Sequence, residues 1–324
     1  MNWKKEIEYA KRELEEQLKQ NPLLMQYKEC TLCPRNCHSD RLAGKQGVCK
    51  ESAILYGARA YLHQWEEPCL SGERGSGTIF FSGCSLGCSF CQNGNIASAK
   101  AGYPIAIERL TEICLEQQER GAHNINLVTA GHYIPSVILA IKKAKGRGLT
   151  IPIVYNTSSY EKRETIQLLK GIVDIWLPDF KYMGEPMARE YANAPDYSKW
   201  AKEALAEMVR QANAPVFDED GMMKRGVIVR HLVLPGGVED SKNIIKFLYE
   251  TYGDSIYISI MNQYTPMACV KDHPLLGRKV TKQEYEEVVD YAIELGVENG
   301  FVQEEETAME SFIPEFDGNG IIKR

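Results

Sequence analysis

Short apolar runs recur along this chain from Gly77 onward, and longer stretches with a helical apolar period lie between them. The runs at 78–82, 124–129, 152–156, 173–178, 226–233 and 256–261 predict strands. The patterns near 105–120, 134–145, 161–170, 187–212 and 239–252 predict the intervening helices, and 281–296 predicts a last one. Parallel neighbours need such helical crossovers, so the alternation reads as a βα repeat. Six units fall short of the eight that close a barrel. The expected fold class is therefore α/β, an open, partial (β/α)6 barrel.

Ahead of the repeat the pattern changes. Residues 3–20 place Trp3, Ile7, Ala10, Leu14 and Leu18 on one face, which predicts an amphipathic helix docked on the body. Residues 30–49 are rich in cysteine, with Pro34, Gly44 and Gly47 supplying turns. After the last helix, the final residues are apolar without helical period and are expected to lie extended. The resulting division is 1–72 for an N-terminal helix and cysteine-rich module, 73–304 for the core and 305–324 for a tail. No internal repeat or low-complexity tract interrupts it.

Composition narrows the function classes. A length of 324 residues suits one large domain with a small appendage. The formal charge of −6, with no basic stripe, disfavours a nucleic-acid substrate. No apolar run reaches membrane-spanning length, and the first ten residues carry no signal-peptide stretch. A cytoplasmic chain is expected, and in that compartment ten cysteines read as thiols or metal ligands rather than disulfides.

Seven of the ten fall into two groups. Cys84, Cys88 and Cys91 follow the first predicted strand with C-x3-C-x2-C spacing. Three thiolates this close can hold three corners of a [4Fe–4S] cluster, leaving one iron open. An open iron can bind a small chelating molecule and pass it an electron, which points to radical generation from S-adenosylmethionine (SAM). A structural zinc site is the other reading, but no fourth ligand follows at knuckle spacing. Cys30, Cys33, Cys37 and Cys49 form C-x2-C-x3-C-x11-C, a closed four-thiolate set for a second iron–sulfur cluster or zinc. With no open coordination position it reads as structural or electron-relaying. Cys69, Cys114 and Cys269 are scattered; Cys114, on a helical face, is expected to be a buried apolar group. Cys269, after the last predicted strand, reads as packed or as approaching the site.

In βα folds, sites gather at the C-terminal ends of the strands. That rule selects Thr129, Gly131 and His132; Asn156 and Ser158; Asp179 and Lys181; Gly236 and Gly237; and Asn262 to Tyr264. Backbone and small polar groups near Thr129 and Gly131 suit an amino group. His132 reads either as a ligand contact or as a loop histidine satisfying backbone groups. Asn156 and Ser158 can bond ribose hydroxyls or cap the next helix. Arg230 and His231 point to opposite faces of a strand, and Arg230 is expected inward as a carboxylate ligand. Gln92 and Asn93 are expected to hold the cysteine loop. Trp65, Glu66 and Glu67 are expected to brace the N-terminal module, with a catalytic carboxylate there as the second reading.

The run C-S-L-G-C-S-F-C-Q-N resembles the cluster motif of the radical SAM superfamily, with Phe90 in its aromatic position. The segments W-E-E-P at 65–68, G-A-H-N-I-N-L-V-T at 121–129, P-D-F-K at 178–181 and R-H-L-V-L-P-G-G at 230–237 resemble the pyruvate formate-lyase activating enzyme-like branch. The resemblance runs from about Cys30 to about Gln303. It implies the partial-barrel fold, a [4Fe–4S] cluster on the trio and SAM as cofactor. Asp179 and Lys181 resemble the aspartate-x-lysine pair that contacts SAM in glycyl radical activases, and Gly236 resembles the turn near adenine. The chain departs from the usual glycine-glycine-glutamate motif, carrying V-T-A-G-H instead.

The expected activity is anaerobic: reductive cleavage of SAM to a 5′-deoxyadenosyl radical that abstracts hydrogen, with flavodoxin or ferredoxin as reductant. By resemblance, the substrate is a glycyl residue of a partner enzyme, or else another protein, peptide or small metabolite. The reading from a different class is a non-catalytic iron–sulfur electron carrier or scaffold.

Overall fold

The computed structural model describes residues 3–303 and 314–322. Ten strands form its sheet: β1 (Leu55–His63), β2 (Ser76–Phe81), β3 (Tyr103–Ile105), β4 (Ile125–Val128), β5 (Ile153–Thr157), β6 (Ile175–Pro178), β7 (Val216–Phe217), β8 (Met223–Leu232), β9 (Tyr257–Met261) and β10 (Gly300–Val302). The helices are α1 (Trp3–Leu18), α2 (Pro68–Ser71), α3 (Gly94–Ala97), α4 (Ile107–Glu119), α5 (Ile134–Gly146), α6 (Arg163–Gln167), α7 (Glu185–Ala192), α8 (Tyr197–Ala212), α9 (Val238–Tyr252) and α10 (Lys282–Glu294). The strand order is β10-β9-β8-β6-β5-β4-β2-β1-β3, with β7 beside β8.

From β2 through β10 every neighbouring pair on this path is parallel. Each connection along that run carries a helix, as parallel pairing requires. The sheet is open, ending at β10 on one side and at antiparallel β1 and β3 on the other. It is the partial (β/α)6 architecture predicted by the alternation. All residues of β2, β4, β5 and β6 are buried, as expected of parallel strands covered on both faces.

The six predicted strands correspond to β2, β4, β5, β6, β8 and β9; β1, β3, β7 and β10 were not predicted. The single helix expected at 187–212 is two, because Asn193 takes a left-handed conformation (φ 46°, ψ 43°) and ends α7. Pro195 then prevents immediate resumption. The helix expected at 161–170 is only the short α6.

α1 buries Ala10 and Leu14, and Glu13 accepts from the Ile107 and Glu108 amides at the start of α4. At the other terminus, Asn319 accepts from the Ala60 amide at 2.8 Å and Gly318 donates to the Ala58 carbonyl at 3.0 Å. Ile321 is buried against Gly57. The part of the expected tail at 305–313 lies outside the described residues.

Candidate active site

The cysteine trio leaves the C-terminal end of β2 through Ser82 and Gly83. Gly83 has φ +86°, and a Cβ there would lie 2.5 Å from Glu51 Cγ and 2.7 Å from the Cys49 carbonyl. Only glycine fits both that conformation and that approach. The loop is held from several sides. Ser89 N–H donates to the Tyr191 carbonyl at 2.8 Å, and the Gln92 amide donates to the Gln263 carbonyl at 2.8 Å. Phe90 is buried edge-on to Tyr264 and Tyr191, with ring centroids 5.7 and 6.2 Å away.

Cys84, Cys88 and Cys91 share one cavity of about 360 Å³ with Phe90, Asn93, Thr129, Asn156, Ser158, Asp179, Lys181 and Arg230. Thus strand-end residues of β4, β5, β6 and β8 are brought to the trio. Burial pushes the Cys91 thiol up to about 12, and Cys88 and Cys84 add to the shift. Burial also raises Cys88, against which Lys181 and a hydrogen bond from Tyr182 at 3.7 Å work. Thiols so placed stay protonated until a cation joins them, and a bound metal reverses that preference.

Thr129 sits at φ +60°, an outlier for a β-branched residue, while its amide donates to the Asn156 carbonyl at 2.9 Å. Asp179 and Lys181 form an ion pair at 2.7 Å, with side chains 20% and 18% exposed. Burial opposes the lysine charge, but Asp179 and the neighbouring Cys88 sulfur outweigh it and raise the pKa. Tyr197 ties these strand ends together. Its hydroxyl lies 2.9 Å from the Ser158 carbonyl and 3.0 Å from that of Asp179, and accepts from the Lys181 amide at 2.9 Å.

Arg230 faces the cavity as its strand position predicted, but two of its three guanidinium nitrogens are already taken by carboxylates of the protein. Nε and Nη2 fork onto Glu67 at 2.9 and 2.8 Å, and Nη2 also reaches Glu66. The Glu66 carboxylate accepts a further bond from Asn126 at 2.8 Å. Burial alone would raise Glu67, yet Arg230 holds it below the usual carboxylate range. Glu66 and Glu67, expected to brace the N-terminal module, instead line the cavity with His63 and Ser259. Their adjacency was visible in the sequence; their partner, more than 160 positions away, was not.

Five expected site residues lie outside the cavity lining: Gly131, His132, Gly236, Gly237 and Asn262. His132 is buried with Nε2–H donating to the Ser82 carbonyl at 2.7 Å. Burial, reinforced by Arg41, pushes its pKa down to about 3, so the ring is neutral. A Cβ on Gly131 would lie 2.5 Å from a Glu161 oxygen, so its backbone faces that carboxyl instead. Gly236 donates to Glu284 at 2.8 Å and packs on Leu275. Cys114 is buried, as its helical face predicted. Cys269 is exposed and donates to the Ser89 carbonyl at 3.1 Å, on the cysteine loop but not in the cavity lining.

The four-cysteine group also converges. A Cβ on Gly47 would lie 3.3 Å from the Cys37 sulfur and 3.5 Å from that of Cys49, so both face one point. Burial pushes Cys33 up to about 12, with Cys49, Cys37 and Cys30 adding to it. Val48 N–H donates to Cys37 Sγ at 3.2 Å and Arg41 to Cys30 Sγ at 3.6 Å, the bonds a thiolate set calls for. Among the described residues, no group of three or more His, Cys, Asp or Glu side chains is placed to hold a metal ion as it stands. Both donor sets have the soft sulfur chemistry of iron–sulfur or zinc sites.

No family model matches this chain. It is 27% identical over 274 residues to an uncharacterized protein of Methanocaldococcus jannaschii, covering 82% of this chain and 75% of that one. Among solved structures it is similar to a radical SAM methyltransferase from Sphaerobacter thermophilus, at 14% identity and a TM-score of 0.45. It is also similar to Streptococcus suis SuiB bound to S-adenosylmethionine, at 15% and 0.46. These matches cover 70% and 69% of this chain, and the chain spans 65% and 49% of theirs. A domain of a pyruvate-formate lyase-activating enzyme from Bacteroides vulgatus matches 52% of this chain and 89% of its own, at 14% identity and a TM-score of 0.34.

Proposed function

We propose that this chain is a radical SAM iron–sulfur enzyme. One observation carries the reading: three cysteines at C-x3-C-x2-C spacing share a single cavity with polar residues from four parallel strand ends. Cys84, Cys88 and Cys91 would hold a [4Fe–4S] cluster with one iron left open. When cluster and SAM are bound, they supply reductive cleavage of SAM to methionine and a 5′-deoxyadenosyl radical, the electron coming from flavodoxin or ferredoxin.

The chain's own residues bind and orient. Lys181, held protonated by Asp179, would offer its charge to the SAM carboxylate. The backbone about Thr129 suits the amino group. Asn156 and Ser158 offer donors and acceptors to the ribose hydroxyls. Phe90 and its aromatic neighbours keep the cysteine loop packed and limit water on that side. His132, Gly131 and Gly236 belong to the supporting structure. The four-cysteine group would hold a second centre, iron–sulfur or zinc. The branch resemblance favours a glycyl residue of a partner enzyme as hydrogen donor, ahead of another protein, a peptide or a small metabolite.

Replacing Cys84, Cys88 or Cys91 singly by Ala tests the ligand set, because a three-thiolate site has no spare ligand. Anaerobically reconstituted variants are expected to lose the SAM-responsive paramagnetic signal of the reduced protein. A variant that keeps the parent's signal contradicts the assignment.

A further inference from the structure

Arg35 stands between Cys33 and Cys37 of the four-cysteine module, yet its guanidinium leaves the module altogether. Nε donates to the Ser85 carbonyl at 2.9 Å and Nη2 to that of Leu86 at 3.1 Å, both between Cys84 and Cys88. The same group reaches the end of α7, with Nη2 to the Ala192 carbonyl at 2.9 Å and Nη1 to that of Asn193 at 2.6 Å. A helix C-terminus presents carbonyls with no intrahelical partner, which attract a cation. That end of α7 also holds the trio's loop, since Tyr191 accepts from the Ser89 amide and packs on Phe90. The guanidinium stacks over Tyr160 as well, 5.0 Å from the ring centroid.

A second contact joins the same two cysteine groups independently of Arg35. The Cys49 carbonyl lies against Gly83, the residue before Cys84, so closely that a Cβ would come within 2.7 Å. Each cysteine group is therefore touched by backbone or side chain belonging to the other. Arg35 lies in the segment between two of the module's cysteines, so the backbone that a loaded module would fix also carries the fork onto two carbonyls of the trio's loop.

We propose that Arg35 is the positioning residue through which the four-cysteine module sets the conformation of the Cys84–Cys91 loop. The module would then be a metal-dependent brace for that loop. The part of the proposal that concerns a cluster rests on the radical SAM reading; the brace itself does not. A lysine cannot replace the fork, because an ammonium is a point donor that cannot span carbonyls of two segments.

The test uses the full chain, purified anaerobically, as parent, Arg35→Ala, Arg35→Lys, and Cys33→Ser with Cys37→Ser. Amide hydrogen exchange is followed in peptides covering 83–92, with 282–294 as a reference for global folding. Loss of these charge-assisted hydrogen bonds predicts exchange faster by about tenfold or more over 83–92 in Arg35→Ala. The reference peptides should be unchanged, Arg35→Lys should recover only part of the protection, and the double cysteine variant should reproduce the Arg35→Ala pattern. If Arg35→Ala unfolds globally, the reference peptides report it, and Arg35→Lys against the parent decides. Exchange over 83–92 within about twofold of the parent in the Arg35 variants overturns the proposal, as does a double cysteine variant that leaves 83–92 fully protected. The reduced paramagnetic spectrum, with and without SAM, is the second readout. Arg35→Ala should keep the parent's core iron but broaden the signal and weaken its response to SAM. A parent without any SAM response would refute the radical SAM reading, while the exchange pattern would still decide the brace.

Discussion

Arg230→Met removes the only guanidinium from a buried group of three charges. The Arg230 side chain is 13% exposed and those of Glu66 and Glu67 are 6% exposed each. Without the arginine, two adjacent carboxylates are left in the cavity with only neutral side-chain donors, Asn126 on Glu66 and Ser259 on Glu67. Breaking one partner out of a buried ion pair costs about 3–5 kcal/mol, because the remaining charge is left uncompensated. Arg230→Met with Glu66→Gln and Glu67→Leu should recover most of that cost, since replacing a buried ionic group by neutral residues of similar volume is close to neutral. Glu67 fixes the pH dependence. Its folded pKa lies below the ordinary 4.5, so the stabilisation is present above that value and is lost as pH falls through the lower folded value. The gap between parent and Arg230→Met should therefore narrow in acid. Urea unfolding under anaerobic conditions, followed by tryptophan fluorescence at neutral and acid pH, measures it. A single variant as stable as the parent, or a triple variant as damaged as the single, would refute the reasoning. A further double variant separates structure from binding: if Arg230 were held in reserve for SAM, Glu66→Gln with Glu67→Gln would tighten SAM binding.

Three further outcomes are expected. Lys181→Met should weaken SAM binding by about tenfold or more, the scale of one charge-assisted contact at about 1.5–3 kcal/mol, as read by titrating the reduced signal with SAM; unchanged affinity would remove Lys181 from the cofactor site. Cys30→Ala with Cys33→Ala should lose the module's metal while the core iron stays, as closed four-thiolate sites depend on every ligand; anaerobic iron, sulfide and zinc analysis decides it, and unchanged metal content contradicts it. Glu284 caps α10 with Thr281 and pairs with Arg278, whose hydrogen bond chiefly holds the carboxyl down to about 2. Glu284→Ala should cost about 1 kcal/mol at neutral pH, typical of a lost cap with the exposed ion pair discounted; since the folded pKa is depressed, the difference should vanish as pH falls from 4.5 towards 2 in thermal melts.

The parallel core was legible because each of its strands is a local apolar run, and the grouping of the cysteine trio because its thiols lie within eight positions, 84–91. The edge strands were not. β3, β7 and β10 are two or three residues long, and β1 is longer but carries no clean alternation, since residues from both of its faces are buried. Position along the chain selected strand ends correctly but not where each side chain turns afterwards. Thr129 faces the cavity while Gly131 and His132, two and three residues on, are claimed by Glu161 and Ser82. Arg230 was rightly placed inward, yet its partners come from a segment next to β1 that no local pattern ties to β8. The break after Ala192 was written in Asn193 and Pro195, and the helical period on either side concealed it.

The most direct test of the central claim is product analysis after anaerobic reconstitution with iron and sulfide, reduction by dithionite, and addition of SAM. The account predicts methionine and 5′-deoxyadenosine in equal amounts from the parent protein, and neither from Cys88→Ala. A fully loaded parent that yields no 5′-deoxyadenosine, or a Cys88→Ala variant that yields as much as the parent, would contradict it.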